Sequence, residues 1–260
     1  MKLNLVPART GMLWVRLGIR TFVRQPLALS GLFLLYMMAL SLLSQLPLIG
    51  NLVALALLPT TTLVIMVATR EAAAGKFPMP GLLLQAFRAG HARPRDLLVL
   101  GLVYAVSFMA VLGVSALIDG GAFAQLYLGG AAVSRDAVQG EAFQQAMWIG
   151  MLLYLPLSLL FWHAPALVHW QGVTPAKSLF FSLLACWQNK WAMAVFMLAW
   201  MGVFMLSGMV LSLLGGLFGS PDAVATLLFA AALTMAAMFF TSFYFTFRDS
   251  FTTDDGQAPA

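Results

Sequence analysis

Six apolar stretches, each about as long as a helix that crosses a bilayer, dominate this sequence. None of them contains Asp, Glu, Lys or Arg. They cover approximately residues 27–48, 51–69, 97–118, 146–168, 191–217 and 223–245. Only 9% of all residues are charged and 62% are hydrophobic, whereas a soluble domain carries about 25% charged residues. We therefore predict an all-α polytopic membrane protein with six transmembrane helices.

Short turns join the first span to the second and the fifth span to the sixth. The stretch LPLIGN, with Pro47 and Gly50, links the first two spans, and GSPD links the last two. The first span follows a basic segment but shows no convincing small-residue cleavage site, so we expect it to be retained. The pattern predicts three hairpins in a single membrane domain over residues 1–248, followed by a flexible cytoplasmic tail at 249–260.

The distribution of the 14 Lys and Arg residues predicts the orientation of the chain. Five of them precede the first span, five lie between spans two and three, two lie between spans four and five, and one follows the last span. The opposite face has only Arg135, in the loop over 119–145. Because short loops rich in Lys and Arg stay in the cytoplasm, both termini should be cytoplasmic and that loop external.

Each hairpin is preceded by a segment that is too short or too charged to span, and we predict a cytoplasmic interfacial amphipathic helix at each: residues 8–25, 80–90 and 174–189. In the first of these, Arg16, Arg20 and Arg24 stand one turn apart and oppose an apolar flank. This spacing predicts contact between the three arginines and anionic lipid headgroups.

The third interfacial segment has its own start signal and polar stripe. Thr174 is an expected N-cap and Pro175 the first helical residue. The stripe of small polar residues opposes an apolar face. The stripe comprises Ser178, Ser182, Ala185 and Asn189, and the apolar face Leu179, Phe180, Leu183 and Trp187. Together the three segments suggest a repeat of one interfacial helix plus one hairpin.

Three stretches carry a resemblance to known proteins: RTFVRQPLALSGLFLL, SLLSQLPLIGNLVALALLP and FWHAPALVHWQGVTPAKSLFFSLLACWQNK. With them the chain resembles uncharacterised six-span bacterial inner-membrane proteins over nearly its whole length. The repeated helix and hairpin, and the APALV turn leading into PAKSL, are similar to the membrane domain that accompanies some glycerophosphodiester phosphodiesterases. No catalytic domain follows the last span, so this resemblance implies a fold and a bacterial inner membrane but no catalytic residues.

The stretch FWHAPALVHW places two histidines, His163 and His169, close to Trp162, Pro165 and Trp170. On a regular helix six positions correspond to different faces about 9 Å apart along the axis, so the two histidines are not expected to share a metal. Axial haem ligation is a less favoured alternative. We interpret the stretch as the bent end of a span, with tryptophans as interfacial anchors and the histidines in interfacial or packing positions.

Few other polar side chains lie inside the spans. Thr60, Thr61 and Thr62 follow Pro59, which frees a backbone carbonyl, and this cluster together with His163 is the candidate polar site. Hydroxyls in spans more often bond their own backbone or a neighbouring helix. The single cysteine, Cys186, offers no disulfide and no metal-site spacing. We predict no cofactor and no metal.

Two functions remain open. A coupled pump is disfavoured because the spans lack buried charge, and enzyme activity is disfavoured because no Walker, GxSxG, HExxH or dinucleotide motif occurs. We favour a non-enzymatic inner-membrane protein that organises, regulates or helps assemble other membrane components, through lipid headgroups, a membrane-protein partner or a second copy. The alternative is an uncoupled transporter or carrier of a lipid or other apolar solute. The basic charge is explained by topology, so nucleic-acid binding is not expected.

Overall fold

In the computed structural model, residues 2–82, 94–128, 134–218 and 221–252 are described. Eleven helices and one pair of very short strands lie within these ranges. The helices are α1 (Thr10–Arg24), α2 (Pro26–Ser44), α3 (Gly50–Ala73), α4 (Pro94–Asp119), α5 (Ala122–Leu128), α6 (Arg135–Gln139), α7 (Glu141–Phe161), α8 (Ala164–Gln171), α9 (Pro175–Gln188), α10 (Lys190–Phe218) and α11 (Pro221–Ser250). The strands are β1 (Lys2–Leu3) and β2 (Phe251–Thr252).

Six segments of the described chain are long and apolar enough to cross a membrane, with mean hydropathy between 1.6 and 2.5. They are α2, α3, α4, α7 together with α8, α10 and α11. This confirms an all-α polytopic membrane protein. The segment between the third and fourth spans, expected as a loop, contains the short helices α5 and α6.

Helix α3 lies at the centre of the bundle. It packs against α2 and α4 and also contacts α8 and α11. Gly101 of α4 permits the close crossing, because a Cβ there would overlap the carbonyl oxygen of Ala56. Helices α10 and α11 form the other flank. At Gly208 of α10 an added Cβ would meet nothing within 4 Å, so no neighbouring helix approaches closely at that point.

The first amphipathic helix, α1, packs against α10 and α11, far from it in sequence. Trp14 on its inner face is 0% exposed. Gly11 and Gly18, two turns apart, allow this approach: a Cβ would overlap the carbonyl oxygen of Ala192 at the first position and the hydroxyl of Ser242 at the second. The inner face of α1 thus rests on protein rather than on lipid.

The third amphipathic helix, α9, begins at Pro175 after Thr174, as predicted, although the Thr174 side chain makes no cap hydrogen bond. Its small polar stripe, including Ser178 and Ser182, is buried against the bundle, whereas Phe180 and Trp187 are 60% and 64% exposed. The burial of this polar stripe differs from an interfacial helix, whose polar face lies in water, whereas the exposed Phe180 and Trp187 are free to face lipid. Of the second predicted segment, 80–90, all but the first residues lie outside the described ranges.

The two ends of the described chain meet at one end of the bundle, which we call the terminal end. Strands β1 and β2 pair antiparallel there. The Trp14 indole N–H donates to the Asp249 carboxylate at 2.9 Å. Asn189 accepts from the Val6 amide at 2.9 Å and donates to the Asn4 carbonyl at 3.0 Å. Residues 249–252, which were predicted to belong to the tail, instead end α11 and form β2.

Candidate ligand-binding cleft

Helix α3 continues through Pro59 without ending. A proline has no amide hydrogen, so the Leu55 carbonyl loses the donor that residue 59 would normally supply. Two residues further along, the Leu57 carbonyl accepts from the Tyr36 hydroxyl at 2.9 Å and from the Thr60 hydroxyl at 2.6 Å. The hydroxyls of Tyr36 and Thr60 also contact each other. Thr60 is thus occupied in joining α3 to α2.

Thr61 and Thr62 have a different environment. Thr61 is 2% exposed, and its hydroxyl interacts with that of Tyr36, although the two make no hydrogen bond of ordinary geometry. Both threonines line a cavity of about 500 Å³, the deep cavity.

A second cavity of about 820 Å³, the outer cavity, lies at the end of the bundle that holds the α2–α3 turn, which we call the hairpin end. Five residues line both cavities: Met37, Leu58, Tyr104, Met151 and Tyr154. The two cavities therefore form one cleft between α2, α3, α4 and α7. Each volume lies in the range of known ligand pockets, about 300–1,000 Å³.

The lining of this cleft changes along its length. The outer part includes several polar side chains within a mostly apolar lining, and aromatic and thioether side chains dominate the deep part. The outer group includes Ser41, Ser44, Gln45, Asn51 and Tyr127, and the deep group Phe161, Trp162, Met197, Phe239, Phe240 and Phe243. Among the described residues that line either cavity, none is Asp, Glu, Lys or Arg.

Tyr104 stands where the two cavities join. Its ring packs edge-on against Phe161 with centroids 5.0 Å apart and stacks on Phe108 at 6.0 Å. Its hydroxyl interacts with that of Tyr154 from α7. The two tyrosines add a second polar point to the cleft, opposite α3. Sequence reasoning missed them and Tyr36. The available signal was their position well inside spans, since tyrosine in membrane proteins concentrates at the interfaces.

His163 lies outside the cleft, so the structure does not bring together the two parts of the predicted polar site. It is 1% exposed, and its ring packs against Phe247 at 6.0 Å and Phe251 at 5.5 Å. His169 is buried as well, and its ring lies 5.9 Å from that of Trp170. His163 therefore packs inside the protein, and its depth in the bilayer stays a prediction.

The stretch around these histidines is a helix break. Helix α7 ends at Phe161 and α8 begins at Ala164, next to Pro165. In a continuous helix the His163 amide would donate to the Leu159 carbonyl. Instead the Ser182 hydroxyl from α9 lies between them, donating to the Leu159 carbonyl at 2.8 Å and accepting from the His163 amide at 2.9 Å. Ser182 of the polar stripe therefore faces inward, where it replaces a backbone hydrogen bond lost at this break.

The tryptophans beside the histidines differ from each other. Trp162 was expected as an interfacial anchor, but it is buried: its ring stacks on Phe243 at 4.2 Å, and its indole N–H donates to the Thr246 hydroxyl at 3.2 Å. Trp170 is partly exposed and lies 6.0 Å from the Arg70 guanidinium. Of these two tryptophans, only Trp170 therefore lies at the protein surface, where a side chain can anchor the helix at the membrane interface.

The other predicted residues lie away from the cleft. Arg16, Arg20 and Arg24 are exposed on the outer side of α1, and none of them lines either cavity. Cys186 is buried in α9, with its sulfur 3.9 Å from the Leu159 carbonyl oxygen. Burial raises the pKa of the Cys186 thiol to about 12, so it remains protonated at neutral pH and is a poor nucleophile.

The chain is similar to a protein of Burkholderia thailandensis described as a probable inner membrane protein. The two are 37% identical over 262 residues, an alignment that covers 100% of this chain and 97% of the relative. No family model matches the sequence. No solved structure matches it. The similarity to the membrane domain of phosphodiesterases thus stays a prediction.

Proposed function

Because the chain belongs to the same family as this probable inner membrane protein of Burkholderia thailandensis, we propose that it resides in a bacterial inner membrane and binds a lipid or other apolar solute there, as an uncoupled carrier. The observation that supports this function is the cleft formed by the outer and deep cavities.

The chemistry of the lining agrees with an uncoupled mechanism. Coupled transporters hold an ion or a proton on intramembrane charged groups, and the described lining residues include none. We also propose that the terminal end is cytoplasmic, because it carries most of the Lys and Arg residues. The polar mouth of the cleft, at the hairpin end, would then open toward the periplasmic leaflet.

A photo-crosslinking experiment tests this function. A photoreactive amino acid is placed at Met151, which lines both cavities. The matched control is Met205 on α10, which is also exposed to the bilayer but lines neither cavity. After irradiation in native membranes, mass spectrometry should find a discrete ligand enriched at 151 over 205. The same unselective lipid pattern at both positions would refute a ligand-binding cleft.

Carrier activity is tested with the recovered ligand. Labelled ligand loaded onto the protein in proteoliposomes should exchange into acceptor vesicles, and the rate should not change when a proton or sodium gradient is imposed. A rate that follows the gradient would contradict the uncoupled mechanism.

A second candidate function, organising or assembling other membrane components without enzymatic activity, is supported by a different surface. Helix α1 is fixed to α10 and α11 through its inner face, and its outer side exposes Arg16, Arg20 and Arg24. A rigid row of guanidinium groups suits anionic headgroups or an acidic segment of a membrane-protein partner. This surface lies apart from the cleft, so the two functions are compatible.

A further inference from the structure

One side of the outer cavity is aromatic. Four rings from α4, α5 and α7 line it and form what we call the aromatic wall: Tyr104, Phe108, Tyr127 and Tyr154. Phe108 joins them, because it stacks on Tyr104 at 6.0 Å and meets Tyr127 and Tyr154 edge-on at 6.0 Å and 5.8 Å. Tyr127 and Tyr154 are 57% and 40% exposed, so a ligand in the cavity can reach both of them.

The α2–α3 side of the same cavity is polar but uncharged, and we call it the polar wall. It consists of Ser41, Ser44, Gln45 and Asn51. Ser41 and Gln45 are exposed, so their side chains are also within reach of a ligand. The Ser44 hydroxyl donates to the Ser41 carbonyl at 2.7 Å and can still accept a hydrogen bond. The polar wall therefore offers a ligand both donors and acceptors.

A hydrogen bond across the mouth holds the two walls in place. The Asn51 amide nitrogen donates to the Leu128 carbonyl at 2.9 Å, which leaves the Asn51 amide oxygen as an acceptor. Leu128 follows Tyr127 directly in α5. The bond therefore fixes the aromatic wall relative to the start of α3, and such preorganisation lowers the entropic cost of binding a ligand between the walls.

The two walls together restrict the class of headgroup. A phosphate or an ammonium group is costly to desolvate unless an opposite charge or several donors compensate, and a plain hydrocarbon would leave the polar wall without partners. A sugar ring matches both walls. Its C–H groups carry a small positive charge and pack on the negative face of an aromatic ring, while its hydroxyls donate to and accept from hydroxyl and amide groups.

The outer cavity continues into hydrocarbon-like surroundings. Met37, Leu58 and Met151 line both cavities, so an apolar path leads from the outer cavity to the deep one. There Phe239 and Phe243 of α11, with centroids 4.9 Å apart, offer dispersion contacts to a chain. A ligand that fills the whole cleft is therefore polar at one end and apolar at the other.

Resting on the function proposed above, we propose that the ligand is an uncharged glycolipid. Its sugar headgroup lies in the outer cavity between the aromatic wall and the polar wall, and its hydrocarbon chain lies in the deep cavity. A free sugar shares the headgroup chemistry but has no group that would occupy the deep cavity.

Photoreactive lipids of matched structure test this ligand class. The full chain is reconstituted in phosphatidylcholine nanodiscs with trace probes that carry the same photoreactive chains and differ only in the headgroup: glucosyl or galactosyl diacylglycerol, phosphatidylglycerol, and diacylglycerol. Labelled residues are mapped by mass spectrometry. At least one glycosyl probe should label cleft residues about 5-fold or more above the other two classes, the factor that one additional hydrogen bond contributes.

Competition separates a glycolipid from a free sugar. Unlabelled glycosyl diacylglycerol should suppress labelling of the cleft, whereas the corresponding free sugar at the same concentration should not. Equal suppression by the free sugar would assign the outer cavity to a soluble ligand and overturn the lipid part of the proposal.

Tyr127→Leu tests the aromatic wall. Loss of this exposed ring should lower labelling by the preferred glycosyl probe about 5-fold or more and leave labelling by diacylglycerol unchanged. The matched control is Trp148→Leu on α7, which removes a ring that is 65% exposed but lines neither cavity. Labelling should not change in this control, and the melting temperatures of both variants establish that the fold is retained.

Gln45→Leu tests the polar wall in the same way. It removes an accessible amide, so labelling by the glycosyl probe should fall while labelling by diacylglycerol does not. The control is Gln125→Leu on α5, an exposed glutamine that lines neither cavity. If Tyr127→Leu and Gln45→Leu both label like their controls, the two walls do not hold the headgroup.

The outcomes separate this inference from the proposed function. Labelling of the cleft that is equal for the glycosyl probes and phosphatidylglycerol would refute the glycolipid and leave the cleft as a general lipid site. Absence of cleft labelling by every probe, together with no ligand enriched at position 151, would refute both the glycolipid and the carrier.

Discussion

At the scale of single residues, the Ser182 hydroxyl acts as part of another helix. It stands between the Leu159 carbonyl and the His163 amide, where a backbone hydrogen bond would otherwise run. Insertion of a side chain into the helical hydrogen-bond ladder is a recognised cause of helix bending. The break between α7 and α8 thus depends on a residue 19 positions away from His163.

We expect Ser182→Ala to lower the free energy of unfolding by about 1–3 kcal/mol, because it leaves two buried backbone groups without a partner. The measurement is a denaturation curve in a mild detergent. Ser158→Ala is the control: its hydroxyl donates to the Leu155 carbonyl of its own helix at 2.7 Å, so a change within about 0.5 kcal/mol is expected. A Ser182→Ala effect no larger than that of the control would contradict the bridging role.

Sequence reasoning located the residues around the histidines but not their environment. A serine in an amphipathic segment does not reveal which carbonyl it will meet, because the partner comes from another element. The aromatic residues around Trp162 show the same limit. Tryptophan favours interfaces on average, yet the local demand for packing against Phe243 and Phe196 outweighs that preference here.

At the scale of elements, the amphipathic pattern predicted α1 and α9 but not what each face would touch. Periodicity defines two faces, and it does not say whether protein, lipid or water will cover them. In a membrane the surrounding lipid is itself apolar, so a polar face can be the one that packs inward and an apolar face the one left exposed. Helix α9 follows that arrangement, with Ser178 buried and Phe180 exposed.

The contact between α1 and α11 gives a prediction for Gly18. A Cβ at this position would overlap the Ser242 side chain and approach its backbone, so Gly18→Ala should destabilise the protein by about 1–3 kcal/mol. The readout is the melting temperature of the purified protein. Gly31→Ala on α2, where an added Cβ meets nothing within 4 Å, is the control and should be neutral or slightly stabilising. If both variants melt alike, the close approach of α1 does not exist.

The exposed row on α1 gives a prediction about lipid. Replacing Arg16, Arg20 and Arg24 by Gln should reduce the excess of anionic over zwitterionic lipid that co-purifies with the protein, because each arginine contributes about 1 kcal/mol near an anionic surface. Native mass spectrometry measures that ratio. The triple Lys variant keeps the charge and should keep most of the excess. An unchanged ratio in the Gln variant would remove the headgroup role of these residues.

At the scale of the whole molecule, span number and helical class followed directly from hydropathy, because backbone groups in lipid must bond within a helix or a closed barrel. The packing of the three units, each an amphipathic helix plus a hairpin, could not be derived from hydropathy. The sequence pattern suggested that each amphipathic helix would belong to the hairpin after it, yet α1 packs on the last hairpin and α9 packs mainly on α7 and α8. Such long-range pairing depends on shape complementarity, which a single sequence does not display.

Topology is testable for the molecule as a whole. A reporter fused after Thr253 should be active only in the cytoplasm, and one inserted near Gly130 only in the periplasm, because nearly all Lys and Arg residues lie on the first side. Paired alkaline phosphatase and fluorescent protein fusions at each site make the measurement. The opposite pair of activities would overturn the orientation and, with it, the leaflet assigned to the mouth of the cleft.

The packing of α1 against α10 and α11 has a consequence for biosynthesis. Helix α1 leaves the ribosome well before α10 and α11, the helices against which it packs and buries Trp14 beside Phe196. During elongation the apolar face of α1 must rest on the bilayer or on an insertion factor. Helix α1 reaches its final position only after α11, the sixth span, has been inserted. A nascent chain truncated before α11 therefore exposes an unburied N-terminal helix, a feature by which membrane quality control can distinguish incomplete copies from finished ones.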